Sequence, residues 1–366
     1  MRITGEKRMR IVQLLPTVSF GDAVSNDAAA IHRMIGEMGY EPEIYADNID
    51  LRLREIAVRP FSRMKPTEER DILIYHGSTG DGMNYLIPRL QGKKVIRYHN
   101  ITPPSYFHGY SSEAETRCDN GYREIRRIAE AFAYGIADSD YNRIDMRKLG
   151  FRCPVDVCPI VIPWEDYDRE SDSRVIDSWQ GDGWTNLLFV GRIAPNKKQE
   201  NLIRAFYEYH WRYNPRSRLF IVGNPAGMET YQGKLETYIH ELGLEGLVIF
   251  TGQTSFPAIL AYYRLADVFL CMSEHEGFCV PIAEAMYFGV PIVALRAAAV
   301  PETLGKGGLL LDSPDPVMTA AAVDRILRDD HLRGMLHEYQ RVQLQNFQYD
   351  RIKRLMMQCL VKIREV

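Results

Sequence analysis

Short apolar runs of strand length alternate with stretches of helical period along nearly all of the 366 residues. Parallel neighbours in a sheet need a crossover between them, and a helix is the usual one, so this alternation points to βαβ units. RIVQLLP (10–16), EPEIYA (41–46), DILIYH (71–76), KVIRYH (94–99) and GIADSD (135–140) read as strands. Residues 26–38 place Ala30, Ile31, Met34, Ile35 and Met38 on one helical stripe that stops at Gly39. Residues 122–134 and 141–149 read as further helices. The pattern breaks between residues 159 and 185, where IPWEDYDRESDSRVIDSWQGDGWT is rich in charge, glycine and proline. It then resumes with strands at 186–191, 218–223, 247–252, 267–273 and 290–295, separated by helical stretches at 199–213, 230–242 and 259–265 and one opening at Pro281. The expected fold is α/β, with two doubly wound domains: residues 1–165, a linker at 166–185, and residues 186–345.

Composition narrows the function classes. The formal charge is −3 and the pI about 6.3, which argues against non-specific nucleic-acid binding, because phosphate contacts need a basic surface. The six cysteines form no CxxC pair, so a zinc site is not expected, and scattered thiols fit a reducing cytoplasm. The apolar run after MRITGEKRMRIVQLL ends at Pro16, too short for a secretory signal, and no stretch reaches the roughly 20 apolar residues of a membrane span. Basic residues at 122–128 with Arg143, Arg147 and Lys148 read either as solvated helix faces or as contact with anionic lipid, so peripheral membrane contact stays open. HGSTGDG (76–82) lacks the GxGxxG spacing, which disfavours a hydride-transfer enzyme.

The most informative stretch is SEHEGFCVPIAEAMYFGVP (273–291). Pro281 suits the first residue of a helix, where its missing N–H costs nothing, and Gly289 the end of that helix. The free N–H groups and positive dipole end of the helix therefore face the loop of Gly277, Phe278, Cys279 and Val280, an arrangement that binds phosphate. Carboxylates touching phosphate would repel it. Glu276 and Glu284 make sense if they accept hydrogen bonds from hydroxyls on either side of a diphosphate, the layout of a nucleotide-sugar. The plain alternative is a pair of acids serving the helix dipole.

These residues resemble the retaining glycosyltransferases of the GT-B fold, glycosyltransferase family 4, whose mark is E-x7-E within a segment like S-x-x-E-G-F-G-x-P-x-x-E-A-M. Ser273, Glu276, Gly277, Phe278, Pro281, Glu284, Ala285 and Met286 match it, and Cys279 replaces the usual glycine. FVGRIAPNKKQENLIRAF (189–206) is similar to the family's strand-end Gly-Arg followed by a lysine, here Gly191, Arg192 and Lys197. Lys198 stands where the family has glycine, which leaves open which lysine points inward. IVGNPAG and FTGQT (Gly223, Gln253), AAAVPETLG (297–305), FGDAVSNDAA (20–29, with Gly21 and Asp22), RYHNITPPSYF (97–107, with His99) and ADSDYNR (137–143) extend the resemblance over nearly the whole chain.

The resemblance implies two Rossmann-like domains facing across a cleft, with a C-terminal helix (346–366) crossing back to the first. It implies a nucleoside-diphosphate sugar donor, a UDP- or GDP-sugar, on residues 186–310, and a glycan, lipid-linked or small-molecule acceptor on residues 10–150. Glu276, Arg192, Lys197 and His99 are the expected catalytic residues. Glu284, Gly277, Phe278, Cys279, Val280, Gly21, Asp22, Gly191, Gly223 and Gln253 are the expected donor contacts. No cofactor and no metal are expected. Taken alone, Asp22 also reads as a helix cap, His99 as a structural histidine, and Arg192 and Lys197 as surface cations. A nucleotide-sugar 2-epimerase of the same fold and a non-catalytic nucleotide-sugar-binding subunit remain as alternatives.

Overall fold

The computed structural model describes residues 8–19, 22–50 and 57–366. The chain divides into two compact units: Met1–Pro103, Thr116–Pro163 and Phe347–Val366 form the first, and Pro104–Glu115 with Trp164–Asn346 the second.

The first unit runs β1 (Arg10–Val18), α1 (Ala23–Glu37), β2 (Glu41–Ile49), β3 (Val58–Pro60), β4 (Ile72–Gly77), β5 (Lys93–Tyr98), α2 (Ser112–Ile128), β6 (Tyr134–Ala137), α3 (Asp140–Lys148) and β7 (Val155–Val157). Among the described residues these strands form one parallel sheet in the order β3-β2-β1-β4-β5-β6-β7. Every residue of β4 is buried. A central parallel strand is covered on both faces, which is why the sequence there is continuously apolar rather than alternating. α2 begins earlier than the expected 122–134 and ends at Ile128. Gly121 lies inside the helix, where a Cβ would stand 2.8 Å from the backbone nitrogen of Gly80. Its absent side chain serves close backbone packing instead of ending the helix.

The second unit runs α4 (Ser173–Trp179), β8 (Thr185–Val190), α5 (Gln199–Arg212), β9 (Ser217–Val222), α6 (Glu229–Glu241), β10 (Val248–Gly252), α7 (Phe256–Leu265), β11 (Val268–Cys271), α8 (Val280–Tyr287), β12 (Ile292–Leu295), α9 (Val300–Leu304), β13 (Leu309–Leu311), α10 (Pro316–Arg328) and α11 (Asp330–Leu344). Its strands are again parallel, in the order β10-β9-β8-β11-β12-β13. The strand order reverses between β8 and β11, and ligands of doubly wound sheets bind at the carboxyl ends of the strands at such a reversal. Residues 166–185, expected as a linker, group with this unit and carry α4. Aromatic anchoring explains the difference: the buried Arg218 on β9 stacks over Trp179 at 4.5 Å, and donates to the Trp179 carbonyl at 2.9 Å and to Asp182 at 2.6 Å.

The last helix, α12 (Tyr349–Glu365), returns to the first unit. Ile352, Met356, Cys359, Leu360 and Ile363 recur at helical spacing and join a core with Ile11, Ile31, Met34, Ile35, Ile72, Ile74 and Tyr134. Full burial of an aliphatic side chain is worth roughly 1.5–3 kcal/mol, so this stripe is a substantial share of that core's stabilisation. Lys353 to Glu37 and Lys362 to Asp156, both at 2.6 Å, fix its ends. No helix among the described residues is long and apolar enough to cross a membrane.

Candidate functional site

The loops after β8 and β11, at the reversal point of the second sheet, carry most of the singled-out residues. They are bound to each other: Asn196 Nδ2 donates to the His275 carbonyl at 3.1 Å, and the Glu274 amide donates to the Asn196 carbonyl at 3.0 Å. The approach brings Lys197 Nζ to 2.6 Å from Glu276 Oε1, with the two side chains 17% and 10% exposed. Burial pulls the Lys197 ammonium down, but the Glu276 charge outweighs it and the net direction is up. Lys197 therefore stays charged, and its remaining two protons are free to meet an anion. Lys198 takes a left-handed backbone, φ 52°, and its ammonium stands 3.5–3.6 Å from Glu274 and Glu200. The structure thus turns Lys197 toward Glu276 and explains the glycine expected at position 198, since a left-handed residue is the place for one.

The same explanation applies at position 279. Cys279 is the N-cap of α8 with φ 75°, again where a glycine was expected. Pro281 is the second helical residue, not the first, and Gly289 follows the helix with φ 66°. Gly277, Phe278 and Val280 complete this turn. Thr303 donates its hydroxyl to the Phe278 carbonyl, and the Ala299 amide bonds the Glu276 carbonyl at 3.3 Å, so the 297–305 segment holds the loop from behind. Glu284 is buried inside α8. Tyr167 donates to one of its carboxylate oxygens and Tyr263 to the other, each at 2.6 Å. Burial raises the Glu284 pKa and the two tyrosine hydroxyls oppose that shift only in part. Each oxygen keeps a second lone pair for a further donor. Neither tyrosine was singled out from sequence. They lie 117 and 21 residues from Glu284, with no spacing to signal them.

The other second-unit candidates fall around this loop pair. Arg192 is exposed, and its carbonyl accepts from Gln199 at 2.9 Å. Gly191 receives a structural reason through Gly223: a Cβ on Gly223 would stand 1.9 Å from the Gly191 carbonyl oxygen, so the ends of β8 and β9 touch backbone to backbone. Gln253 is exposed after β10.

In the first unit, Gly21 lies outside the described residues. Asp22 caps α1, accepting from the Ser25 amide at 3.0 Å and from its hydroxyl at 2.9 Å. His99 does not behave as expected. Its side chain is 2% exposed and both ring nitrogens are engaged, one by Asp138 at 2.8 Å and one by His76 at 2.9 Å. The protons can be assigned from the ends of this chain of contacts. Gln13 Nε2 donates to the Ala28 carbonyl at 2.9 Å, so its oxygen faces His76 Nε2 at 3.0 Å, and that nitrogen must carry a proton. Burial holds the His76 ring well below its ordinary range, hence neutral, with Nδ1 bare. His99 Nε2 is then the donor to His76, and His99 Nδ1 faces Asp138. Asp138 also lies 3.1 Å from the buried Arg97. As placed, His99 has no ring nitrogen left for a sugar hydroxyl.

Residues 182–343, most of the second unit, match the model of the family glycosyl transferases group 1. The chain is 34% identical over 156 residues, 41% of its length, to D-inositol 3-phosphate glycosyltransferase of Acidothermus cellulolyticus, and 25% identical over 273 residues, 71% of its length, to O-antigen chain mannosyltransferase B of Escherichia coli. These matches span 35% and 66% of the two relatives. Among solved structures it is similar to Anabaena HepE in complex with UDP and glucose, with a TM-score of 0.76, 20% identity and coverage of 97% of this chain and 100% of that one. It is also similar to sucrose-phosphate synthase from Thermosynechococcus elongatus, with a TM-score of 0.73, 18% identity and coverage of 98% and 100%. The fold is that of the GT-B glycosyltransferases.

Proposed function

We propose that this chain is a retaining glycosyltransferase that moves a sugar from a UDP- or GDP-sugar to a hydroxyl of a glycan, lipid-linked or small-molecule acceptor. The observation that carries the reading is the paired placement of Glu276 against Lys197 and Glu284 between two tyrosines, at the reversal point of a sheet within a glycosyl transferases group 1 domain. In this reading Glu284 accepts from the ribose hydroxyls and Glu276 from those of the transferred sugar. Gly277, Phe278, Cys279 and Val280 present the α8 N-terminus to the diphosphate. Arg192 and Lys197 neutralise the charge that grows on the leaving phosphate, without a required metal. The acceptor oxygen bonds the anomeric carbon on the face from which the diphosphate departs, and its proton passes to the leaving phosphate oxygen. No protein base is needed, which agrees with a His99 whose nitrogens are both engaged. The site's task is then positioning and charge stabilisation. We place the activity in the cytoplasm, where nucleotide-sugar and six free thiols are both at home.

Thermal unfolding with UDP, GDP and their sugars, followed by turnover with and without acceptor, tests the reading. A cognate nucleotide at 100 times its Kd should add about 2.7 kcal/mol of stability. Arg192→Ala and Lys197→Ala should each raise the barrier by about 3 kcal/mol, and EDTA should leave the rate unchanged. Binding by none of the nucleotides, or activity that EDTA abolishes and magnesium restores, would overturn the corresponding part of the proposal.

A further inference from the structure

Two thiols meet in the wall of this site. Cys271 ends β11, Cys279 caps α8, and the loop between them folds back until the sulfurs are 3.9 Å apart. A carboxylate oxygen of Glu276 belongs to the same group, the three ligand atoms all lying within 4.8 Å of one another. The residues are 1%, 6% and 9% exposed.

The sulfur separation discriminates between chemistries. Two thiolates on a tetrahedral zinc-type ion, at about 2.3 Å each, stand about 3.8 Å apart, which the pair meets without movement. A disulfide would require the sulfurs to close to about 2.05 Å. Both ends are tied: Cys271 is in register with Ala294 of β12, and Cys279 sits in a left-handed turn whose neighbour Phe278 is held by Thr303. Two soft sulfur donors and one carboxylate suit zinc or cadmium rather than magnesium. Three protein ligands leave one coordination position open. Ser273 lies in the same loop, its buried side chain beside Cys271.

We infer that Cys271, Cys279 and Glu276 form a binding site for a soft divalent cation of the zinc class. Binding replaces the two thiol protons with the metal and releases both to solvent. It also draws Glu276 from Lys197. If Glu276 and Lys197 serve the donor as proposed above, the occupied site is an inhibited one, and zinc acts on this chain as a reversible brake rather than as a catalyst. A glycine at position 279 removes one ligand and with it the site.

The test uses reduced, metal-free full-length protein titrated with cadmium, followed through the near-ultraviolet absorption of cadmium–thiolate bonds. The expected result is one cadmium per chain at this site, competed by zinc, with the signal lost in Cys279→Gly and in Cys271→Ser and kept in Cys118→Ser. Glycine suits the left-handed position 279, so that variant should fold; circular dichroism verifies it. A cadmium signal of the same stoichiometry in Cys279→Gly overturns the inference. So does a reduced wild-type protein that gives no signal. The titration needs no sugar donor, so it stands or falls apart from the glycosyltransferase reading. Zinc inhibition of turnover in wild type but not in Cys279→Gly, relative to each variant's own rate, then tests the coupling to the donor site.

Discussion

Replacing Glu284 by glutamine separates the binding role of this residue from its structural one. Glu284 titrates above its ordinary value of 4.5, so burial costs the carboxylate more than the two tyrosine hydrogen bonds return. Glutamine keeps the shape and can satisfy both tyrosine hydroxyls, its oxygen accepting from one and its amide donating to the other. It carries no charge to bury. Glu284→Gln should therefore unfold within about 1 kcal/mol of wild type, since neutral hydrogen bonds of ~0.5–1.5 kcal/mol replace charged ones of ~1.5–3 kcal/mol while the desolvation of the charge disappears. Glu284→Ala, by contrast, orphans two buried hydroxyls and should cost about 2–6 kcal/mol. The pH dependence has a definite sign. An acid whose folded pKa is raised favours the folded state below its unfolded value, and that advantage is lost as pH rises through the folded value. Wild type should thus lose stability relative to Glu284→Gln from about pH 4.5 upward and then level off. Nucleotide affinity should move the other way. Losing a charged acceptor for the ribose hydroxyls costs about 1.5–3 kcal/mol, or roughly 10–150-fold in Kd. Calorimetric titration with UDP and GDP, alongside thermal melts across pH, reads both quantities. A Glu284→Gln protein that binds nucleotide as tightly as wild type refutes the assignment of this carboxylate to the donor.

Two further outcomes are expected. Lys198→Gly relieves a left-handed backbone worth about 1–2 kcal/mol, against roughly 0.5–1 kcal/mol of glycine entropy and half-buried, 3.5–3.6 Å ion pairs of about 0–1 kcal/mol, so urea unfolding should shift by no more than about 1 kcal/mol. Turnover should survive it while Lys197→Ala loses most activity; equal losses would mean that Lys198 also serves the site. Asp138→Asn removes one of the two buried carboxylates that face Arg97, and should destabilise by about 3–5 kcal/mol in the same assay. An unchanged midpoint would contradict a stabilising role for the Arg97–Asp138 pair.

What could be read in advance follows the range of the interactions concerned. The βαβ alternation and the Glu276–Glu284 segment are local patterns, and both were legible. The two departures from the resembled family, Lys198 and Cys279, could be located but not interpreted until their positive φ values showed why glycine is usual there. The partners of Glu284 were invisible because Tyr167 lies in a charged stretch that reads as a linker. The meeting of Cys271 with Cys279 has no CxxC spacing to signal it, since the seven residues between them fold back to bring the sulfurs together. The early start of α2 was not read because Gly121 serves a contact with Gly80, which no helix-period pattern contains.

The return of α12 to the first unit has a consequence for biosynthesis. Lys353 and its partner Glu37 are 316 residues apart. At about 5–20 residues per second, a ribosome takes roughly 16–60 s to span that interval. During that time the first sheet can pair its strands, but the apolar surface formed by Ile11, Ile72, Ile74 and Tyr134 lacks the layer that α12 supplies. The second unit draws every one of its segments from residues 104–346 and has no such dependence. The nascent chain should therefore complete its domains in reverse of their order of appearance, with the amino-terminal sheet waiting as an incomplete core, a client for chaperones, until the final helix emerges.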